Sequence, residues 1–364
     1  MQQKKDHTIE KSPPQRVKVI IPAWMSVSVI LLALLISATL AANVAGLLGN
    51  RKTTEDGSMS AGAGSFTTLD NFQDFITGNF QITQDRASID ITKIRQGCIG
   101  GKDCLVSIDE PQFESVQEAN AWLSDNDLVF GISINGDVRS YPQRILNRHE
   151  IVNDVVGGTP VLVTFCPLCG TAIAFERTVN GNIVTFGVSG KLVNSNLVMY
   201  NRADNSLWQQ QGGEQIVGDE PGTKLPKVPL TTTTWGQWKF SHPDTKSLTR
   251  PSGDSSLYDI YPYGNYESSR ELGFGVVHTD ARLHEKAIIY GVVINDQAAA
   301  YSQDGLIRDG IFSDTVGGAP ITITRKPTGE VSVMREDTGE EIIPERGFWF
   351  SWAAFYPETK LDGE

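Results

Sequence analysis

The chain has 364 residues, of which 40% are hydrophobic, 9% aromatic and 20% charged, with a formal net charge of −12. That length and balance suit one or two domains with a real core, and the acidic excess argues against a nucleic-acid binder, which needs a basic surface to neutralise phosphates. Its 35 glycines and 17 prolines point to many turns, hence to a β-rich body.

Five cations, Lys4, Lys5, Lys11, Arg16 and Lys18, precede an uncharged apolar run over residues 19–42. A run of that length can cross a bilayer. Only Arg51 and Lys52 follow closely, so the positive-inside rule keeps residues 1–18 in the cytoplasm and exports the rest. The run exceeds the apolar core of a cleaved signal peptide and lacks a clear A-x-A site, which favours a retained single-pass anchor in the cell membrane. Residues 43–65, polar and small from Asn50 onward, read as a flexible tether, and the extracytoplasmic body covers 66–364.

Export places all four cysteines in an oxidising compartment. Cys98 and Cys104 flank a glycine-bearing loop and are expected to close a short structural disulfide. Residues 114–124 carry the spacing of a short amphipathic helix, with Val116, Ala119 and Leu123 inward. Strand signals then dominate. Residues 128–136 run as a strand into Asn135-Gly136, and 172–190 alternate about Asn180-Gly181 as a hairpin.

Between these lies Cys166-Pro167-Leu168-Cys169-Gly170, two thiols two residues apart on a turn between apolar runs. Such a knuckle grips a metal or closes a reversible disulfide. The hairpin that follows counts against a thioredoxin-like arrangement, in which the second half of the motif opens a helix.

The sequence also matches itself. Residues 128–165 align with 288–325 at an offset of 160 without a gap, with 14 identities in 38 positions, including D-x-V-G-G-x-P. Trp235 and Trp238 recur as Trp349 and Trp352 at an offset of 114. The body is therefore expected to be mainly β with minor α, a duplicated unit (about 127–248 and 287–361) whose first copy is enlarged. The four tryptophans, recurring in both copies, are expected in the core. The second copy works as an internal control: His149 faces Asp309, Glu150 faces Gly310, Cys166 faces Lys326 and Cys169 faces Gly329. What only the first copy carries points to function.

The stretches Tyr141-Pro142, Arg144-Ile145-Leu146, His149 to Asp154, Gly157-Gly158, Cys166 to Cys169, Phe186 to Gly190, Asn194-Ser195, Met199-Tyr200, Leu207-Trp208-Gln209 and His242 to Thr245 together resemble the domain of unknown function 3179 family. The resemblance covers nearly all of the chain after residue 90. It implies a shared fold and site position and brings no settled activity. Where the family carries a glycine- and proline-rich segment, this chain holds Cys98 and Cys104.

The residues themselves suggest a transition-metal site, zinc or copper, with Cys166 and Cys169 as thiolates, His149 as imidazole and Met199 as a softer fourth donor. Glu150 is the candidate general base. Ser189, Asn194, Ser195, Trp208 and Gln209 are expected to line a cleft beside the thiols. Two alternatives stand beside this: a thiol–disulfide redox protein in which Cys166 and Cys169 cycle, and a non-catalytic binding module with a structural disulfide. No phosphate loop, nucleophile elbow, HExxH or dinucleotide fingerprint occurs.

Overall fold

Asn135 and Gly136, at φ +51° and +81°, turn the chain between strands β1 (Leu128–Ile134) and β2 (Asp137–Pro142). Both central residues are left-handed, the turn that matches the twist of two antiparallel strands. The computed structural model describes residues 80–98, 100–251, 255–327 and 329–363. The expected anchor and tether lie outside these residues. Among the described residues, no helix is long and apolar enough to cross a membrane.

The architecture is mainly β. After β2 comes helix α2 (Gln143–His149), then β3 (Ile151–Val156), β4 (Thr159–Cys166) and β5 (Thr171–Glu176). The preceding helix α1 (Val116–Ala119) is shorter than its sequence pattern. Ser115 and Glu118 cap it reciprocally, and Ala119 and Leu123 still turn inward, Leu123 from the turn beyond the helix. The hairpin expected over 172–190 is also shorter. Only Thr178–Val179 and Asn182–Ile183 pair about Asn180-Gly181. Strand β5 pairs instead with β4, and β6 (Phe186–Val193) belongs to a different sheet, so the two alternating runs serve separate layers.

That second sheet contains β6, β7 (Asn196–Asn201), β8 (Leu207–Gln209) and β9 (Glu214–Val217), with Arg95–Gln96 at its edge. Helix α3 (Trp235–Ser241) follows. The chain then repeats an order of elements: β10 (Ile288–Ile294), β11 (Gln297–Ser302), α4 (Gln303–Asp309), β12 (Ile311–Val316) and β13 (Ala319–Arg325). Pairing registers recur at the same offset, Ile134 opposite Asp137 and Ile294 opposite Gln297, Ile151 opposite Thr164 and Ile311 opposite Thr324.

Buried contacts recur as well. Tyr141 donates to Asp154 at 2.6 Å and Tyr301 to Asp314 at 2.8 Å. Trp238 and Trp352 each donate an indole N–H to a threonine, Thr245 and Thr359, at 2.9 Å. All four tryptophans are buried. Gly131 and Gly291 leave room for Trp238 and Trp352, since a Cβ at either would sit 2.4 Å or 2.3 Å from the ring. Strand β14 (Glu345–Phe348), leading into α5 (Trp349–Phe355), lies between β10 and β5 and joins the halves in one eight-stranded sheet.

Candidate site around the paired thiols

Pro167 to Gly170 form the four-residue turn between β4 and β5, with Cys166 opposite Thr171 at its base. Gly170 takes φ +61°, and a Cβ there would come within 2.9 Å of the Phe348 ring. Glycine therefore lets the turn close against β14. Both sulfurs end up inside an apolar cluster with Ile151, Leu162, Phe186, Leu197, Met199, Trp208, Phe348 and Phe350. Cys166 is 1% and Cys169 0% exposed. They are free thiols, while Cys98 and Cys104 form the expected disulfide.

The two sulfurs have unlike surroundings. Cys166 Sγ lies 3.6 Å from the Ser195 carbonyl, an acceptor that suits a protonated thiol. Burial, above all, pushes its titration well up. At Cys169 burial also acts upward and is the largest single influence. Bonds to its sulfur from Cys166, Thr171 and Asn196 together outweigh it and bring this thiol down. Asn196 Nδ2 is 3.0 Å from the Cys169 sulfur. The Cys166 carbonyl, 3.7 Å from that sulfur, is a longer contact open only to the thiol form.

Glu150 is the next neighbour. It terminates α2 at φ +57° and ψ −32°, its N–H bonded to Leu146 O at 2.8 Å and its carbonyl accepting from Phe165 N at 2.7 Å. Gly310 makes the equivalent bonds at φ +76° and ψ −32°. The corner asks for a left-handed residue, which glycine supplies without steric cost. A glutamate there is strained, and such strain gathers at functional sites. Burial, with a smaller contribution from Cys169, raises the Glu150 carboxyl to about 8. At neutral pH it is a protonated acid beside the thiols.

His149 is placed differently. Its Nδ1 bonds the Val106 carbonyl at 2.7 Å and its Nε2 meets the Tyr258 hydroxyl at 2.9 Å. This pattern fits a neutral ring that donates from Nδ1 and accepts at Nε2. Burial is the main reason its titration falls below the ordinary value. With both nitrogens engaged, the ring is not presented to the sulfurs. Among the described residues, no group of three or more His, Cys, Asp and Glu side chains could hold a metal ion.

The five residues expected beside the thiols, Ser189, Asn194, Ser195, Trp208 and Gln209, are all buried. Cavities of about 460, 350, 240 and 220 Å³ open elsewhere, and none of the five lines them. Their work is internal. Asn194 and Ser195, at φ +51° and +60°, form the turn between β6 and β7. Ser189 Oγ donates to the Val198 carbonyl across the bulge in β6.

What sequence reasoning missed is the cover. Tyr258, Tyr261, Tyr263 and Tyr266 are four of the chain's nine tyrosines, gathered in nine residues, and that density was the available signal. Tyr266 donates to the Leu168 carbonyl at 2.8 Å, at the tip of the thiol turn, and Tyr263 to the Asn147 carbonyl at 3.2 Å. Leu272 and Val276 pack on the thiol cluster, and Ser195 Oγ donates to the Phe274 carbonyl at 2.7 Å. Lys286 holds this strap from beneath, donating to Ser269 O at 3.1 Å and Glu271 O at 2.7 Å with its ammonium 4.0 Å from the Tyr266 ring centre.

Fold and site together define a mainly β protein with a buried free dithiol in a hairpin turn, beneath a tyrosine-rich strap. Residues 102–359 match the family described as protein of unknown function DUF3179, and the chain belongs to that family. No curated protein and no solved structure matches it significantly.

Proposed function

We propose that the protein is an exported thiol–disulfide redox protein, anchored by residues 19–42 with its first 18 residues in the cytoplasm. The observation that carries this reading is the unlike pair of free thiols, one sulfur facing a carbonyl and the other receiving hydrogen bonds. A dithiol that cycles needs one sulfur disposed to carry charge and a second ready to follow it. Glu150, held protonated to about pH 8, is the proton carrier for the pair. The Cys98–Cys104 disulfide suits an oxidising compartment. We further infer that the two halves are copies of one unit, the first enlarged to carry the site, because registers and the Tyr–Asp contact recur at an offset of 160 and the Trp–Thr contact at 114.

The test is a glutathione redox titration of the full chain in detergent, with acid quenching, alkylation and mass spectrometry. Cys166 and Cys169 should join and separate reversibly while Cys98–Cys104 stays closed. Thiols that remain reduced in fully oxidised glutathione would sink this reading. A second reading, a soft monovalent ion such as copper(I) on the two sulfurs, is favoured by Met199, which packs in the same cluster. Elemental analysis decides it, since equal metal in the wild type and a Cys166→Ser/Cys169→Ser variant would end it.

A further inference from the structure

We propose that Cys169 is the sulfur that attacks a substrate disulfide, that Asn196 positions it, and that Cys166 resolves the mixed disulfide that forms. This assignment rests on the thiol–disulfide reading above and adds an order of events to it. Its foundation is the orientation of one buried side chain. Asn196 is fully buried at the start of β7. Its Oδ1 accepts from the Gln211 backbone N–H at 3.0 Å and from Gln209 Nε2. A backbone N–H can only donate, so the amide cannot be flipped. Nδ2 must therefore point the other way, where it lies 3.0 Å from Cys169 Sγ and 2.8 Å from Gln210 Oε1.

Gln210 is fixed in turn, its Nε2 donating to Thr164 Oγ1 and to the Thr171 carbonyl, each at 3.0 Å. Three consecutive glutamines thus aim one amide N–H at one sulfur. Hydrogen bonds donated to a sulfur favour its thiolate, the attacking form. Cys166 faces the Ser195 carbonyl instead, so its proton stays until the second step. The buried amide network, otherwise a costly item in a core, has a purpose in this arrangement.

The Cys169 thiolate attacks one sulfur of the substrate disulfide, a Cys169–substrate bond forms, and the substrate S–S bond breaks. The departing thiolate takes its proton from the protonated Glu150 carboxyl, and the carboxylate this leaves accepts the Cys166 proton. Cys166 then attacks Cys169 Sγ, forming Cys166–Cys169, and the second substrate thiolate leaves and takes up the proton that Cys169 lost on ionising. Two electrons pass to the substrate, and the pair is left oxidised. A dithiol substrate runs the same steps in reverse.

The experiment uses the full chain in detergent, as single Cys166→Ser and Cys169→Ser variants, with 4,4′-dithiodipyridine as the disulfide probe. The strap covers both sulfurs, so the ratio of rates reads their difference. Cys169 in the Cys166→Ser variant should form its adduct at least tenfold faster than Cys166 in the Cys169→Ser variant. Adding Asn196→Asp, which keeps the shape and removes the N–H, should slow Cys169 at least tenfold without slowing Cys166. A merely structural role would loosen the core and speed both. Equal rates, or a faster Cys166, overturn the assignment, and Asn196→Asp acting alike on both sulfurs removes Asn196 from it. Should Asn196→Asp fail to fold, Thr171→Val takes its place against the same two single variants. The redox reading fails separately: if Cys169 reacts faster but the wild type never closes Cys166–Cys169, the attacking sulfur stands and the cycle does not.

Discussion

Glu150 combines a strained backbone with a displaced carboxyl, and substitution separates the two. With an ordinary value of 4.5 and a folded value of about 8, the folded protein holds a proton that the unfolded chain releases between those pH values. Stability therefore falls as pH rises from 4.5 to about 8 and is level above that window. At about 1.4 kcal/mol per pH unit the full loss is about 4–5 kcal/mol, and the partial exposure of Glu150 screens it to about 3 kcal/mol. Glu150→Gln removes the titration and keeps the left-handed backbone. It should flatten the curve and be more stable than wild type at pH 8.5 by about 3 kcal/mol. Glu150→Gly copies Gly310, so it should show the same flattening and gain about 1 kcal/mol more from relieved strain. Urea unfolding at intervals from pH 5 to 9 gives both numbers. Wild type and Glu150→Gln losing stability in parallel would refute a carboxyl held protonated at neutral pH.

Three further outcomes follow from the same contacts. Lys286→Met keeps the side-chain stem and loses two hydrogen bonds to Ser269 and Glu271 carbonyls; amide exchange over residues 255–277 should quicken, equivalent to about 1–3 kcal/mol, while β4 and β5 stay protected. His149, lowered chiefly by burial, should remain neutral and protonated on Nδ1 at pH 6 by ¹⁵N spectroscopy. Because the unfolded chain binds that proton first, stability should fall as pH drops below about 6.5, less so in His149→Gln. Gly131→Ala would place a methyl 2.4 Å from the Trp238 ring and should cost about 1–3 kcal/mol in thermal or urea unfolding.

The β-rich character, the disulfide and the core tryptophans were legible because each follows from local rules: alternation, turn pairs, short cysteine spacing and large apolar side chains. The thiol turn stood out in the sequence, and the neighbours that surround it did not. His149 stood beside Glu150 in the sequence, and imidazole with two thiols is a familiar metal set. The end of α2 separates them: the left-handed corner puts Glu150 by the sulfurs, while His149 bonds Val106 and Tyr258. Neither Val106 nor Tyr258 has a sequence signal that couples it to a histidine 43 or 109 residues away. Asn196 was overlooked for a similar reason. Its orientation depends on Gln209 at the end of the next strand and on Gln210 and Gln211 just beyond it.

The second half of the molecule sharpens what the first half costs. At the end of α4 the corner residue is Gly310, in a backbone the fold plainly accepts. At the end of α2 the same corner holds a strained glutamate with its carboxyl far from its ordinary titration. At the neighbouring hairpin two buried thiols stand at positions that match Lys326 and Gly329 at the same offset of 160, with a buried amide network against them. Strain, desolvated carboxyl and buried polar network each work against stability, and all three gather around Cys169. The segment from β10 to β13 runs through the same order of elements without them. Their coincidence around Cys169 is the physical argument for the redox role proposed for this turn.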